Sequence, residues 1–152
     1  MRPIVFAAIL ILGCTQLHAQ STNKEYDSLL AKKLHADAYG MKKYYLVFLK
    51  TGPAGIPDKA TLDSIFGGHM KNIQWLASQN KIVVAGPLGK NDNTYEGIFI
   101  LNTDNKTEAE KMLETDPAIQ LKLLTAEFYV WYSSAALQEI PGLHKKIQKT
   151  NF

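Results

Sequence analysis

The sequence is poor in the residue types on which most catalytic sites depend. Its 152 residues contain one cysteine, Cys14, which lies near the start of the chain, so the remainder holds no disulfide and no thiol nucleophile. The histidines His35, His69 and His144 have no metal-ligand spacing and no thiol to assist them. A P-loop, a dinucleotide-binding fingerprint and a Ser-x-Gly nucleophile elbow are also missing. We therefore expect any activity to be acid–base chemistry without a metal or another cofactor.

Net charge is low as well, which bears on the partners of the protein. The formal charge is +3, and the lysines are spread along the chain rather than interleaved with aromatic residues. Nucleic-acid binding proteins concentrate basic residues in patches, so this pattern argues against a nucleic-acid partner. The length suits one domain with short extensions, and is sufficient for a hydrophobic core.

The first twenty residues have the features of a targeting segment. Arg2 precedes an apolar run, residues 4–12, that is too short to span a bilayer. Two interpretations remain open. Cleavage after Ala19 would release a soluble periplasmic or secreted protein, whereas residues 11–14, Ile-Leu-Gly-Cys, resemble a lipobox that would leave Cys14 lipidated and membrane-tethered. We favour cleavage after Ala19, and both interpretations predict export.

We predict a signal peptide at residues 1–19. After it, the chain divides into three predicted parts, which are an N-terminal helical extension at 20–42, a compact domain at 43–133 and a C-terminal tail at 134–152. A capping-box spacing at Thr22 and Glu25 predicts that a helix opens the extension, and the same spacing at Thr107 and Glu110 predicts the start of a later helix. The predicted strands are residues 44–49, 81–88, 95–101 and 127–132.

The central helix carries the most informative residue. It begins near Asp58 or Thr61, and its apolar face includes His69, an ionisable group where a hydrophobic one is expected. Gly67 and Gly68 precede this histidine, and each costs about 1 kcal/mol relative to alanine inside a helix. They indicate either close approach of another group or a helix that starts late.

The element order is strand, helix, strand, strand, helix, strand. This order predicts an α+β, ferredoxin-like βαββαβ fold, in which a four-stranded antiparallel sheet carries two helices on one face. The first and last strands are apolar on both faces, so the face away from the helices must also be covered. We expect a second copy to cover it in a homodimer, with the C-terminal tail as the alternative cover.

Three segments in the right order resemble the YCII-related family. They are residues 69–89, HMKNIQWLASQNKIVVAGPLG; residues 109–118, AEKMLETDPA; and Trp131 in the last strand. The resemblance covers about residues 44–132. It implies a fold of the dimeric α/β-barrel type and a histidine–aspartate active site, which matches His69 and Asp116. Activity in the family is mostly undefined, although one relative is a dehydrochlorinase of chloroaromatic breakdown.

Each candidate site residue also has a simpler structural interpretation. His69 is either a general acid/base or a core histidine bonded to a backbone carbonyl. Asp116 caps the helix that starts at Pro117, and an aspartate in that role can also orient the histidine. We assign substrate-binding roles to Gly86, Pro87 and Lys90, which otherwise end a strand and occupy a solvated loop.

Three hypotheses for the function follow. The first is an exported enzyme, a lyase, isomerase or dehydrochlorinase acting on a small organic molecule. The second is a non-catalytic dimeric protein that binds a small ligand in the same pocket. The third is a purely structural role for His69 and Asp116, with no pocket between them.

Overall fold

The computed structural model describes residues 23–150, and the signal-peptide and lipobox predictions lie outside them. The described elements, in chain order, are α1 (Ser28–Lys33), β1 (Met41–Thr51), α2 (Lys59–Ser78), β2 (Ile82–Pro87), β3 (Tyr95–Leu101), α3 (Lys106–Leu113), α4 (Pro117–Gln120), β4 (Leu124–Ser134), a 3₁₀ helix (Ala135–Glu139) and α5 (Ile140–Ile147). Within this part of the chain, no helix is long and apolar enough to cross a bilayer.

The four strands form one antiparallel sheet in the order β2-β3-β1-β4. Buried residues of α2, α3 and α4 share a core with one face of this sheet, which makes the fold ferredoxin-like, as predicted. That core includes Leu76 from α2, Met112 from α3 and Ala118 from α4, packed on Val47 and Phe99 of the sheet. The predicted element order and fold class are confirmed.

Two predicted helix starts are wrong, because local capping differs from the spacing rule. Asn105, not Thr107, caps α3, since its side chain accepts a hydrogen bond from the backbone N–H of Glu108. In the N-terminal extension, Asp27 caps α1, which therefore starts at Ser28 rather than near Thr22. Asparagine and aspartate are as good at this position as serine and threonine, and the capping-box pattern overlooks them.

Strands β1 and β4 are longer than predicted, at eleven residues each. They pair along their whole length, from Met41 opposite Ser134 to Thr51 opposite Leu124. The polar residues at both ends do not fit an apolar strand pattern, but the backbone ladder continues through them. Pairing with β4 therefore sets the length of β1 more than its own composition does, whereas β3 pairs only with the stretch from Tyr45 to Lys50.

The C-terminal tail covers part of the sheet face that lies away from the helices. Leu137 of the 3₁₀ helix packs on a second core cluster that includes Tyr44, Ile100 and Trp131. The Tyr44 hydroxyl donates to the backbone carbonyls of Ser134 and Ala135 at 3.0 and 3.3 Å. Burial raises the pKa of Tyr44 to about 12. One half of this face is therefore closed within the chain itself.

The other half of that face stays open and is lined by aromatic rings. Phe48 lies 4.8 Å from Tyr95 and 5.8 Å from Tyr129, measured between ring centroids. Tyr129 is 49% exposed. Both tyrosine hydroxyls lie 3.2 Å from Glu127, whose carboxylate also pairs with Lys50 at 2.8 Å. A second copy, if it binds through the sheet, has this aromatic half available to it.

Candidate active site

Asp116 lies in the short connection between α3 and α4, and it caps α4. Its Oδ1 atom accepts a hydrogen bond from the backbone N–H of Ala118 at 2.9 Å, and Pro117 takes the first helical position. Proline suits that position because its fixed φ matches the helix and no N–H is needed there. Asp116 is therefore a helix cap, as predicted, and its side chain is fully buried.

The second carboxylate oxygen of Asp116 faces the central helix. Oδ2 lies 2.6 Å from Nδ1 of His69, although the two residues are 47 positions apart in the chain. His69 is 8% exposed and Asp116 0%. The two side chains thus form a direct, buried hydrogen bond, closer than any water-bridged contact. The two interpretations of Asp116 do not compete, since one oxygen caps a helix and the other orients a histidine.

This bond determines which ring nitrogen of His69 is available. An ionised carboxylate only accepts hydrogen bonds, so Nδ1 must carry the hydrogen that lies between the two residues. Among the described residues, Asp116 is the hydrogen-bonding partner of the ring, and Nε2 is left for another group. This is the geometry by which a carboxylate holds an imidazole in one tautomer and supports its charged form.

Two phenylalanine rings flank the imidazole. Phe66, one turn earlier on α2, meets it edge-on at 5.7 Å, and Phe99 of β3 stacks on it at 6.1 Å. Phe99 is buried, whereas Phe66 is 37% exposed. Neither ring is among the site residues predicted from the sequence. The stacking of Phe99 depends on how the helix crosses the sheet, which periodicity does not reveal.

Asn72 and Thr115 form a second link between the same two segments. Asn72 follows His69 by one helical turn, Thr115 precedes Asp116, and the Thr115 hydroxyl lies 2.9 Å from Oδ1 of Asn72. The same hydroxyl lies 2.7 Å from the carbonyl of Met112. Because it has only one hydrogen, it can donate to one of these two acceptors at a time. Nδ2 of Asn72 is buried without a hydrogen-bond partner among the described residues. Neither residue is among the site residues predicted from the sequence, and no sequence signal marks the pair.

The predicted substrate-binding residues lie apart from this pair. Gly86 and Pro87 are at the end of β2, where they pair with Ile98 and Gly97 of β3. Lys90 is exposed in the loop that follows. None of the hydrogen bonds or ring contacts of the described residues joins these three to His69 or Asp116. Their assignment to a substrate site remains a prediction.

Two open depressions lie on the surface of the described residues, and neither is lined by His69 or Asp116. One, of about 540 Å³, is polar and has His35, Lys42, Asp104 and Tyr132 among its lining residues. The other, of about 570 Å³, lies beside β4 and is lined by residues such as Leu113, Ile119 and Phe128. Access to the buried pair is through the exposed tenth of the His69 side chain. Among residues 23–150, no group of three histidine, cysteine or acidic side chains is placed to hold a metal ion.

Comparisons with known proteins add a related fold. No family profile matches the chain, and no curated protein sequence matches it either. Among solved structures, one match is 5-chloro-2-hydroxyhydroquinone dehydrochlorinase from Burkholderia phenoliruptrix in complex with 2,5-dihydroxybenzoquinone. It is 20% identical, with a TM-score of 0.43, and the match covers 58% of this chain and 92% of that one. The likeness concerns the fold alone.

Proposed function

We propose that this protein is an enzyme of the YCII-related type that catalyses proton transfer on a small organic molecule without a cofactor. The observation that carries the proposal is the buried 2.6 Å hydrogen bond between Nδ1 of His69 and Oδ2 of Asp116. The imidazole ring of His69 has a second nitrogen that can take a proton from a substrate and return it. Asp116 fixes its tautomer and stabilises the positive charge that develops on the ring.

In this mechanism, Nε2 of His69 is the base. It removes a proton from a carbon atom that is activated by a neighbouring carbonyl or hydroxyl group. In an isomerisation the proton returns to another atom of the same molecule. In a dehydrochlorination the C–H electron pair becomes the new double bond, chloride leaves with its own bonding pair, and the proton passes from Nε2 to water. The reaction classes we propose are therefore lyase, isomerase and dehydrochlorinase-like elimination.

The surroundings of His69 favour a flat, mostly apolar substrate. Phe66 and Phe99 place aromatic rings on two sides of the imidazole, and Phe66 is partly open to solvent. Flat rings stack well against such side chains. The proposed site requires a planar molecule for stacking and an activated hydrogen for proton removal. A hydroxylated or chlorinated ring compound meets both requirements.

The test follows proton exchange, so that the true substrate need not be known. Candidate ring compounds and small organic acids are incubated with the protein in deuterated water, and NMR measures deuterium entering carbon positions. We expect exchange with the native chain and a loss of at least about a hundredfold in His69→Gln, because general acid–base groups contribute that much. Glutamine can still donate a hydrogen bond to Asp116, which preserves the fold.

His144→Gln is the matched control, because His144 is an exposed histidine on α5 and should leave exchange unchanged. If a compound binds equally to the native chain and to His69→Gln while neither promotes exchange, the ligand-binding alternative replaces the enzyme. If no compound binds or exchanges, and His69→Gln merely lowers stability, the pair is structural. We also propose that the protein acts outside the cytoplasm, as its leader predicts.

A further inference from the structure

The short helices at the two ends of the described chain expose apolar side chains. On α5, Ile140, Leu143 and Ile147 form a stripe at helical spacing, and they are 36%, 58% and 81% exposed. The alternative prediction, in which the C-terminal tail covers the sheet, holds for Leu137, which precedes α5, whereas Leu143 and Ile147 remain exposed. At the other end, Tyr26 and Leu29 are 64% and 79% exposed.

The end of α1 contacts the 3₁₀ helix that leads into α5, although the two segments are more than 100 residues apart in the chain. Lys33 at the end of α1 pairs with Glu139, the last residue of the 3₁₀ helix, with 2.8 Å between Nζ and Oε1. Gln138 donates from its side-chain amide to the backbone carbonyl of Leu34 at 2.7 Å. These contacts join the two ends of the described chain, and we call residues 23–35 and 139–150 the terminal surface.

The terminal surface also holds the positive charge of the protein. It contains six lysines, Lys24, Lys32, Lys33, Lys145, Lys146 and Lys149, and three acidic residues, Glu25, Asp27 and Glu139. The other described residues contain ten lysines and eleven acidic side chains. The terminal surface thus carries +3 and the rest −1. Both segments contribute to this excess, with +1 from residues 23–35 and +2 from residues 139–150.

We propose that the terminal surface binds the face of a lipid bilayer that contains anionic lipids. Exposed apolar residues beside lysines on an amphipathic helix are what an interfacial helix requires, because apolar groups enter the headgroup boundary while lysines pair with lipid phosphates. A second copy of the chain is disfavoured as the occupant. A two-fold contact here would place +3 against +3.

The position of the leader agrees with this choice. Residues 1–22 join the terminal surface at Asn23, nine positions after Cys14. If Cys14 carries a lipid, the terminal surface is within about 30 Å of chain from the anchor. Stable membrane attachment generally needs two signals, such as one lipid chain and one basic patch. The surface binds more weakly, but by the same contacts, when the leader is removed.

The experiment uses the chain from Ser21 onwards, which retains every described residue and the whole core. Sedimentation with vesicles measures binding to phosphatidylcholine alone and to phosphatidylcholine mixed with phosphatidylglycerol. We expect binding to the mixed vesicles, weakened by salt. The triple variant Lys145→Glu, Lys146→Glu, Lys149→Glu should lower the partition coefficient by about a hundredfold or more, from the loss of three lysines near an anionic surface.

The matched control is Lys59→Glu, Lys71→Glu, Lys111→Glu, which changes the net charge equally at exposed positions elsewhere. It should bind nearly as the native chain does. Leu143→Ser with Ile147→Ser should also weaken binding, at unchanged charge. Equal binding to both vesicle types, or equal losses in the two lysine variants, would overturn the proposal. The proposal would also be overturned if the native chain is a dimer that does not bind vesicles and size-exclusion chromatography shows the serine variant to be a monomer.

Discussion

Gly68 and Pro117 are in direct contact at the point where α2 crosses the start of α4. A Cβ atom added to Gly68 would lie 3.0 Å from Cγ of Pro117, whereas one added to Gly67 would meet nothing within 4 Å. His69 directly follows Gly68, and Asp116 directly precedes Pro117. The glycine therefore lets α2 approach closely enough for that hydrogen bond to form.

The two glycines should respond differently to alanine. Gly67→Ala should raise the free energy of unfolding by about 0.5–1 kcal/mol, because alanine favours the helix and the added methyl group meets open space. Gly68→Ala should lose this gain or reverse it, because Pro117 must move by a few tenths of an ångström. Urea unfolding of the two variants gives the comparison. Equal stabilisation by both would show that the contact does not constrain the helix.

Asp116→Asn should change the tautomer of His69 while keeping α4 capped. The backbone N–H of Ala118 needs an acceptor, which orients the new amide with its oxygen toward the helix and its NH₂ group toward His69. Nδ1 must then accept a hydrogen bond, so the ring hydrogen moves to Nε2. Nitrogen NMR of the imidazole distinguishes the two forms. Proton exchange should fall by several orders of magnitude, as expected for the wrong tautomer.

Asp58→Asn is a suitable control for that experiment. Asp58 caps α2 by accepting from the backbone N–H of Thr61, and it is not paired with a histidine. The same chemical change there should leave the His69 nitrogen signals in place. An imidazole that keeps its hydrogen on Nδ1 in Asp116→Asn would show that Asp116 does not select the tautomer.

Tyr44 should make the protein less stable at high pH. Burial raises its pKa from 10.0 to about 12, which means that the fold favours the neutral phenol. Its contribution is therefore complete below pH 10 and is lost as the pH rises from about 10 to about 12. Urea unfolding at successive pH values measures the loss.

The variant Tyr44→Phe isolates this contribution. It should cost about 1 kcal/mol near neutral pH, from the lost hydrogen bonds to Ser134 and Ala135, and should decline less steeply above pH 10. Tyr39→Phe serves as the control, since Tyr39 is 84% exposed. Parallel pH profiles for the native chain and Tyr44→Phe would contradict the assignment.

The homodimer that we predict from the sequence should use the open aromatic half of the sheet. Light scattering at micromolar concentration should give twice the mass of the chain. Tyr129→Lys should shift the equilibrium toward monomer, because Tyr129 lies exposed in the open half and a lysine there adds charge beside Lys50. Leu121→Lys, at an exposed position outside the sheet, should not. A native chain that is monomeric at this concentration would rule the dimer out.

The sequence by itself determined the order of the elements, the fold class and the capping role of Asp116. These features depend on local signals, which are periodicity, turn residues and proline chemistry, and each is confirmed by an element or a contact of the fold. Local signals gave the wrong helix start where two possible capping residues lie close together, as at the starts of α1 and α3. They also did not indicate how much of the C-terminal tail would be buried, since Leu137 packs on the sheet while Leu143 and Ile147 remain exposed.

Only the tertiary structure decided which residues meet. His69 and Asp116 are chemically ordinary at a separation of 47 positions, and they become a pair because α2 crosses α4 at a glycine. The same holds for the stacking of Phe99 on His69, the link between Asn72 and Thr115, and the contact between the end of α1 and the 3₁₀ helix. Contacts between distant segments depend on packing angles and strand register, which the pattern of a single segment does not contain.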